Sequence, residues 1–387
     1  MFLLKLFVYY IYIKKQININ MGLDVKGISD WGLGLNSPLI ISGPCSAESE
    51  EQVINTAKEI NALGKVNVLR AGIWKPRTRP GSFEGVGEIG LEWLKSAKKE
   101  TGMLISTEVA NGKHVEKCLK AGVDILWIGA RTTVNPFSIQ EVADALKGVD
   151  IPVMVKNPIN PDLELWIGGL ERINQAGIKK LGAIHRGFST LEKTPFRNLP
   201  RWELAIELKR RYPNLDIICD PSHISGNREL IPYVCQKAMD LDMSGLMIES
   251  HINPMVALSD AAQQVKPSSL DTILTNLNFR KSSSDNLEFD NKLESLRKEI
   301  DELDQFILEN LSSRMDLVNQ IGEYKKKNNV TILQVNRWEE VLNKRISLGE
   351  AMKLDKSFVE DMIKLIHKES IRKQNIIMNG NDDMVGK

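Results

Sequence analysis

The chain has 387 residues, enough for more than one domain, with an ordinary globular balance of 42% hydrophobic and 26% charged residues. A formal net charge of +1 argues against nucleic acid or a membrane surface as partner, so any basic cluster must be local and suited to a small anion. Four scattered cysteines, Cys45, Cys118, Cys219 and Cys235, lack the spacing of a disulfide framework and suit a reducing, cytoplasmic setting.

The opening run "MFLLKLFVYYIYIKK" is apolar, but too short to span a bilayer, and no small-residue cleavage site follows it. Met21 opens a stretch that reads as an ordinary start. Residues 1–20 therefore read as an N-terminal extension, either disordered or a start-site artefact. From Leu39 to His251, eight β-rich runs alternate with amphipathic segments such as Glu50–Leu63, Ile89–Thr101 and Arg201–Arg211. The runs are "LIISGPCS", "NVLRAGIWK", "LISTEVA", "ILWIGAR", "VMVKNP", "KKLGAIHRG", "IICDPS" and "SGLMIESH". Eight such units predict a (β/α)8 TIM barrel of the α/β class over residues 21–270. An open doubly wound sheet would call for a Gly-rich phosphate loop after the first strand, and there is none. The polar, Ser-rich "RKSSSDNLEFD" marks a linker, set at 271–290. Beyond it, Leu293, Leu296, Ile300, Leu303, Ile307 and Leu311 recur at three- and four-residue steps. This predicts a smaller all-α domain over 291–378, with 379–387 as a flexible tail.

In a barrel the C-terminal ends of the strands share one mouth. Here those ends carry Cys45, Arg70 and Lys75, Glu108, Arg131, Lys156, Arg186, Asp220 and His223, and Glu249 and His251. One such charge is ordinarily a solvated loop residue. Five cations on four strand ends need an anion to offset them, which points to phosphate and carboxylate ligands. Cys45, His223, Glu249 and the further carboxylate Asp260 would supply S, N and O donors to a divalent first-row metal: Mn, Fe, Co or Zn.

The motifs "GPCS", "KPRT", "IGAR", "DPSH", "IES" and "LSDAAQQ" resemble, in order, those of 3-deoxy-D-arabino-heptulosonate 7-phosphate (DAHP) synthase, in its short barrel-only type, over residues 30–268. The resemblance implies condensation of phosphoenolpyruvate with erythrose 4-phosphate, the first step of the shikimate pathway. It implies Cys45, His223, Glu249 and Asp260 as metal ligands. Arg70, Lys75, Arg131, Lys156 and Arg186 would hold phosphoenolpyruvate, with Lys75 the candidate proton donor to the new hydroxyl. Arg77 and Thr78 would bind the sugar phosphate. The competing enzyme on the same barrel is 3-deoxy-manno-octulosonate 8-phosphate synthase, where the "KPRT" position usually reads Lys-Ala-Asn-Arg. The sequence here favours the four-carbon sugar.

From Leu293 to about Gln374, "LRKEIDELDQFILENLSSRMDLVNQIGEYK", "QVNRW" and "SIRKQ" resemble the all-helical chorismate mutase domain, type II. Arg314 and Lys325 are about 16 Å apart along a helix and share a face, whereas Arg297 lies about 25 Å from Arg314. If Arg297 serves the same small diacid, it must come from a second chain, so an intertwined homodimer, or a higher oligomer built from it, is expected. By resemblance, Arg297, Arg314 and Arg337 would bind the carboxylates of chorismate. Lys325 and Gln374 would donate to its ether oxygen, with Ser370 one turn before Gln374. Familiar members of that family carry an acidic residue where Gln334 stands and a glutamate where Trp338 stands. Gln334 still hydrogen-bonds, but Trp338 cannot accept. The combined reading is a bifunctional enzyme with feedback by chorismate or prephenate. Its alternative is a synthase joined to a catalytically weak, ligand-sensing helical domain.

Overall fold

The computed structural model describes residues 22–75, 81, 83–280 and 283–380. Eight parallel strands close into a barrel in sequential order: β1 (Leu39–Gly43), β2 (Val68–Arg70), β3 (Leu104–Val109), β4 (Ile125–Ile128), β5 (Val153–Lys156), β6 (Leu181–His185), β7 (Asp216–Cys219) and β8 (Gly245–Glu249). The β1–β8 register, Leu39 opposite Gly245 through Gly43 opposite Glu249, seals the cylinder. Seven strands fall inside the β-rich runs of the sequence, β7 begins one residue ahead of its run at Asp216, and the (β/α)8 reading agrees with the fold.

Two apolar layers hold the barrel. Ile41, Val68, Ile125, Trp127, Met154, Ile184, Ile218 and Met247 fill its interior, together with Trp31 from a short turn of helix. That turn is tied to β7 by the Ile28 N–H, which donates to Asp216 Oδ2 at 2.7 Å. The second layer packs Val53, Ile60, Leu94, Val115, Trp166, Leu170 and Val234 between sheet and helices. Gly245 lets β8 close on β1, since a Cβ there would lie 2.1 Å from the Leu39 carbonyl oxygen.

The chain divides into two compact units, the first ending at Ser282 and the second beginning at Ser283. The segment 271–290 carries more helix than its polar composition suggests. Pro267–Asn276 forms a helix that buries Leu270, Ile273 and Leu274. A 41-residue helix, Leu287–Lys327, starts four residues ahead of the expected Asn291, because the Asn286 side chain accepts from the Glu288 and Phe289 N–H groups and caps it. The second unit is completed by helices Val335–Ala351 and Lys356–Asn379. The long and last helices approach closely at Gly322, where an added Cβ would lie 3.1 Å from Ile377 Cδ1. No described helix is long and apolar enough to cross a membrane. Residues 1–20 and 381–387 lie outside the described residues.

Candidate active sites of the barrel and the helical unit

Because β2, β5 and β8 end at Arg70, Lys156 and Glu249, these three side chains reach the C-terminal mouth from strand ends. Arg70 is 1% exposed. Its Nη2 lies 3.3 Å from the Cys45 carbonyl oxygen and 3.3 Å from Glu249 Oε1. Its Nε and Nη1 are buried without a hydrogen-bond partner. Two unmatched donors on a buried cation are costly unless an anion meets them. The Trp127 ring lies 4.9 Å beneath the Arg70 guanidinium and 5.9 Å from Lys156 Nζ, so β4 supplies an aromatic floor to two cations. Lys156 Nζ is 2.7 Å from Asp220 Oδ2. Arg186 donates through Nη1 to Gly187 O at 3.2 Å and Asn198 Oδ1 at 2.9 Å. Burial, with Arg197 and Arg131 nearby, pushes its pKa down to about 10, although Asp220 and Asp260 act against that shift. Arg131 thus belongs to the same cationic mouth, at its exposed side.

Beside the cations, one ligand atom each from Cys45, Glu249 and Asp260 lies within 4.8 Å of the others. Asp260 Oδ2 is 3.4 Å from Cys45 Sγ, and Lys75 Nζ is 3.3 Å from the same sulfur. Glu249 accepts from Gln263 Nε2 at 2.6 Å through Oε2, while its buried Oε1 has no hydrogen bond. Asp260 adopts a left-handed φ of +48°, strain for a non-glycine residue that aims its carboxylate into the cluster. Burial, then Glu249, pushes the Cys45 thiol up to about 12, against the pull of Lys75. A thiol and two carboxylates, one of them with an oxygen that accepts no hydrogen bond, in one buried place fit a divalent first-row cation, whose charge would offset theirs. His223 stands apart from this trio. Its Nδ1 lies 3.0 Å from Asp220 Oδ1 and 3.9 Å from Glu249 Oε1.

The strand-end reading overlooked several side chains. Arg197 reaches in from the loop after β6 and binds Asp260 Oδ1 at 3.0 Å and Gln263 Oε1 at 2.6 Å. Gln264 Oε1 accepts from the Cys45 N–H at 2.9 Å. The two glutamines sit in "LSDAAQQ", so a motif signal existed. Arg197 sits in an aperiodic loop and had none. Glu108, at the end of β3, takes the Trp127 Nε1–H at 3.1 Å, which fixes the floor under Arg70 rather than a ligand. Arg77 and Thr78 lie outside the described residues. Among the described residues that precede them, Trp74 stacks on His114 with ring centroids 3.9 Å apart and 7° between planes.

The helical unit contains a pocket of about 610 Å³. Arg314, Lys325, Gln334, Arg337, Ser370 and Gln374 all line it. Arg297 does not. It is 63% exposed on an earlier stretch of the long helix, with Glu294 3.9 Å away. Arg314 Nη1 donates to Ser370 Oγ at 2.7 Å, and Ser370 donates onward to Ile366 O at 2.8 Å. Lys325 Nζ donates to Ile332 O at 2.5 Å. Gln374 is buried, and its Oε1 has no partner. Arg337 Nη1 is held 2.8 Å from Glu340 Oε2. Two further titratable side chains line the pocket, Arg345 and His367, and His367 stacks on Trp338 at 3.8 Å and 13°. Neither belongs to the motifs that pointed to this domain.

A family model for the DAHP synthetase I family matches residues 18–283, and one for chorismate mutase type II matches residues 296–375. A phospho-2-dehydro-3-deoxyheptonate aldolase of Thermotoga maritima is 34% identical over 241 residues, 62% of this chain and 69% of that protein. A 2-dehydro-3-deoxyphosphooctonate aldolase of Variovorax paradoxus is 28% identical over 273 residues, 63% of this chain and 91% of that protein. Among solved structures, the DAHP synthase of Thermotoga maritima superposes with a TM-score of 0.55 at 32% identity, covering 61% of this chain and 67% of its own.

Proposed function

This chain belongs to the DAHP synthetase I family and carries a chorismate mutase type II domain behind its barrel, and on that premise we propose that it joins phosphoenolpyruvate to erythrose 4-phosphate and rearranges chorismate to prephenate. The observation that carries the first half is Arg70: a buried guanidinium with two unmatched donors beside Cys45, Glu249 and Asp260.

In this account Arg70, Lys156, Arg186 and Arg131 clamp the phosphate and carboxylate of phosphoenolpyruvate, and Arg77 and Thr78 take the sugar phosphate. Forked guanidinium donors fix both anions in contact despite their mutual repulsion. Cys45, Glu249 and Asp260 would hold a divalent metal, and His223, whose Nδ1 lies 3.9 Å from Glu249 Oε1, would turn in as the fourth donor. When bound, the metal would supply Lewis-acid polarisation of the aldehyde oxygen. The enol carbon of phosphoenolpyruvate attacks the aldehyde carbon. Lys75, 3.3 Å from Cys45 Sγ, is placed to protonate the oxygen that becomes the new hydroxyl. Water adds at the carbon bearing phosphate, which carries cationic character, and phosphate leaves by C–O cleavage.

In the helical unit, Arg314 and Arg337 take the two carboxylates of chorismate, while Lys325 and Gln374 donate to the ether oxygen as it gains charge. No covalent step is needed, so preorganised donors supply the catalysis. Arg297 joins the pocket from a second copy, making a dimer through the helices. This is supported by the apolar side chains left bare on the long helix, among them Leu303 at 60% and Ile307 at 57% exposure. Chorismate or prephenate bound there inhibits the barrel, and this feedback fails if neither alters the synthase rate at saturation. A sensing-only helical unit is the second reading, favoured by Trp338 in the pocket wall.

The test is to read both activities in one purified protein. Arg70→Met should abolish phosphoenolpyruvate consumption while chorismate turnover survives, and Arg314→Ala should do the reverse. Under the sensing reading, Arg314→Ala changes only the regulation of the barrel. A chain whose two activities always fall together would contradict the assignment of separate sites.

A further inference from the structure

The helical pocket is rich in donors and poor in acceptors. Arg314 and Lys325 face it from the long helix, and Arg337 and Arg345 from the middle one; no carboxylate lines it among the described residues. A diacid suits such a wall. Chorismate, though, also carries a ring hydroxyl, whose proton needs an acceptor. Ser370 Oγ already accepts from Arg314 and donates to Ile366 O. Trp338 offers only an N–H. The remaining acceptors on the wall are the carboxamide oxygens of Gln334 and Gln374 and a ring nitrogen of His367. Gln374 is assigned as a donor through its amide nitrogen, and its oxygen is buried, while its aliphatic stem packs beside Gly322. His367 differs from Gln334, whose side chain caps nothing, in being pinned. Its ring lies flat on Trp338 at 3.8 Å and 13°, so its plane is set before substrate arrives.

We propose that His367, held against Trp338, recognises the hydroxyl of the substrate bound in this pocket by accepting its hydrogen bond. The proposal rests on the chorismate reading of the pocket and extends it to a specificity-determining residue. The stack then gives Trp338 a function: it orients the neighbouring acceptor in place of being one. An imidazole accepts only when neutral. Burial, then the charges of Arg314 and Lys325, holds the His367 pKa below its ordinary value, which keeps the ring neutral at neutral pH. Arg337 and Arg345 add cations of the same sign, and on its own helix Ser370 and Gln374 are uncharged.

The experiment compares equilibrium binding of chorismate with binding of the analogue in which hydrogen replaces the hydroxyl, using the full-length protein. Wild type should favour chorismate by about tenfold or more. That preference should disappear in His367→Leu and persist in His367→Asn, which keeps an acceptor. Lowering the pH protonates the histidine and should erode the wild-type preference, while the Asn variant, with nothing to protonate, holds its own. If His367→Leu keeps the full preference and Gln334→Ala loses it, the glutamine is the acceptor and the proposal is wrong. Because binding is read, a pocket that senses without turning over is tested equally well. Wild type that binds neither compound refutes the chorismate reading and the proposal with it, and is distinguished by that result from a failure of His367 alone.

Discussion

Arg70 and Lys156 share the Trp127 ring but have different tasks. Lys156 is neutralised by Asp220 at 2.7 Å, whereas Arg70 has two donors to spare. Arg70→Lys preserves charge and loses the fork, so it should raise the KM for phosphoenolpyruvate about tenfold or more with little effect on folding. Steady-state kinetics check this. Lys156→Met should weaken the same clamp and, in addition, cost stability, about 3–5 kcal/mol, by leaving Asp220 buried without its lysine. Calorimetry of the barrel transition reads that loss. At this scale the sequence was most legible where topology fixes direction. Strand ends named Arg70, Lys156 and Glu249 because residues there face one mouth. Cys45 and Asp260 stood out by residue type and motif. Arg197, Arg345 and His367 escaped because what brings them in is tertiary: a loop folding back, and helix faces whose partners the chain order does not reveal.

Among elements, the eight strands and the barrel helices were readable because burial on both faces makes each strand a continuous apolar run. The start of the long helix was misjudged because a single side chain, Asn286, caps it inside a polar stretch that composition assigns to a linker. The packing of the helical unit hinges on a contact no periodicity exposes. An added Cβ at Gly349 would meet Val359 Cγ2 at 2.5 Å. Gly349→Ala should therefore force the last two helices apart and destabilise that unit by about 1–3 kcal/mol. The expected signature is a lower helical transition in a thermal scan, with the barrel transition unmoved; equal lowering of both would show that the units do not melt independently.

For the molecule as a whole, the apolar stripe along the long helix is exposed among the described residues, and Arg297 lies off the pocket it is assigned to. Both would follow from the proposed dimer, in which each pocket is shared between two copies. Mixing Arg297→Ala with Arg314→Ala protein, each inactive as a mutase alone, should then restore about a quarter of the wild-type sites, since half the dimers are mixed and each has one intact pocket. No recovery would mean that Arg297 and Arg314 do not meet across an interface. What the chain does as a whole depends first on the barrel. The most direct measurement follows phosphoenolpyruvate loss by metal-stripped protein with Mn²⁺ restored, offering erythrose 4-phosphate or arabinose 5-phosphate. Turnover with erythrose 4-phosphate alone, and only with metal, is the predicted result. Turnover with arabinose 5-phosphate, or equal turnover without metal, would contradict it.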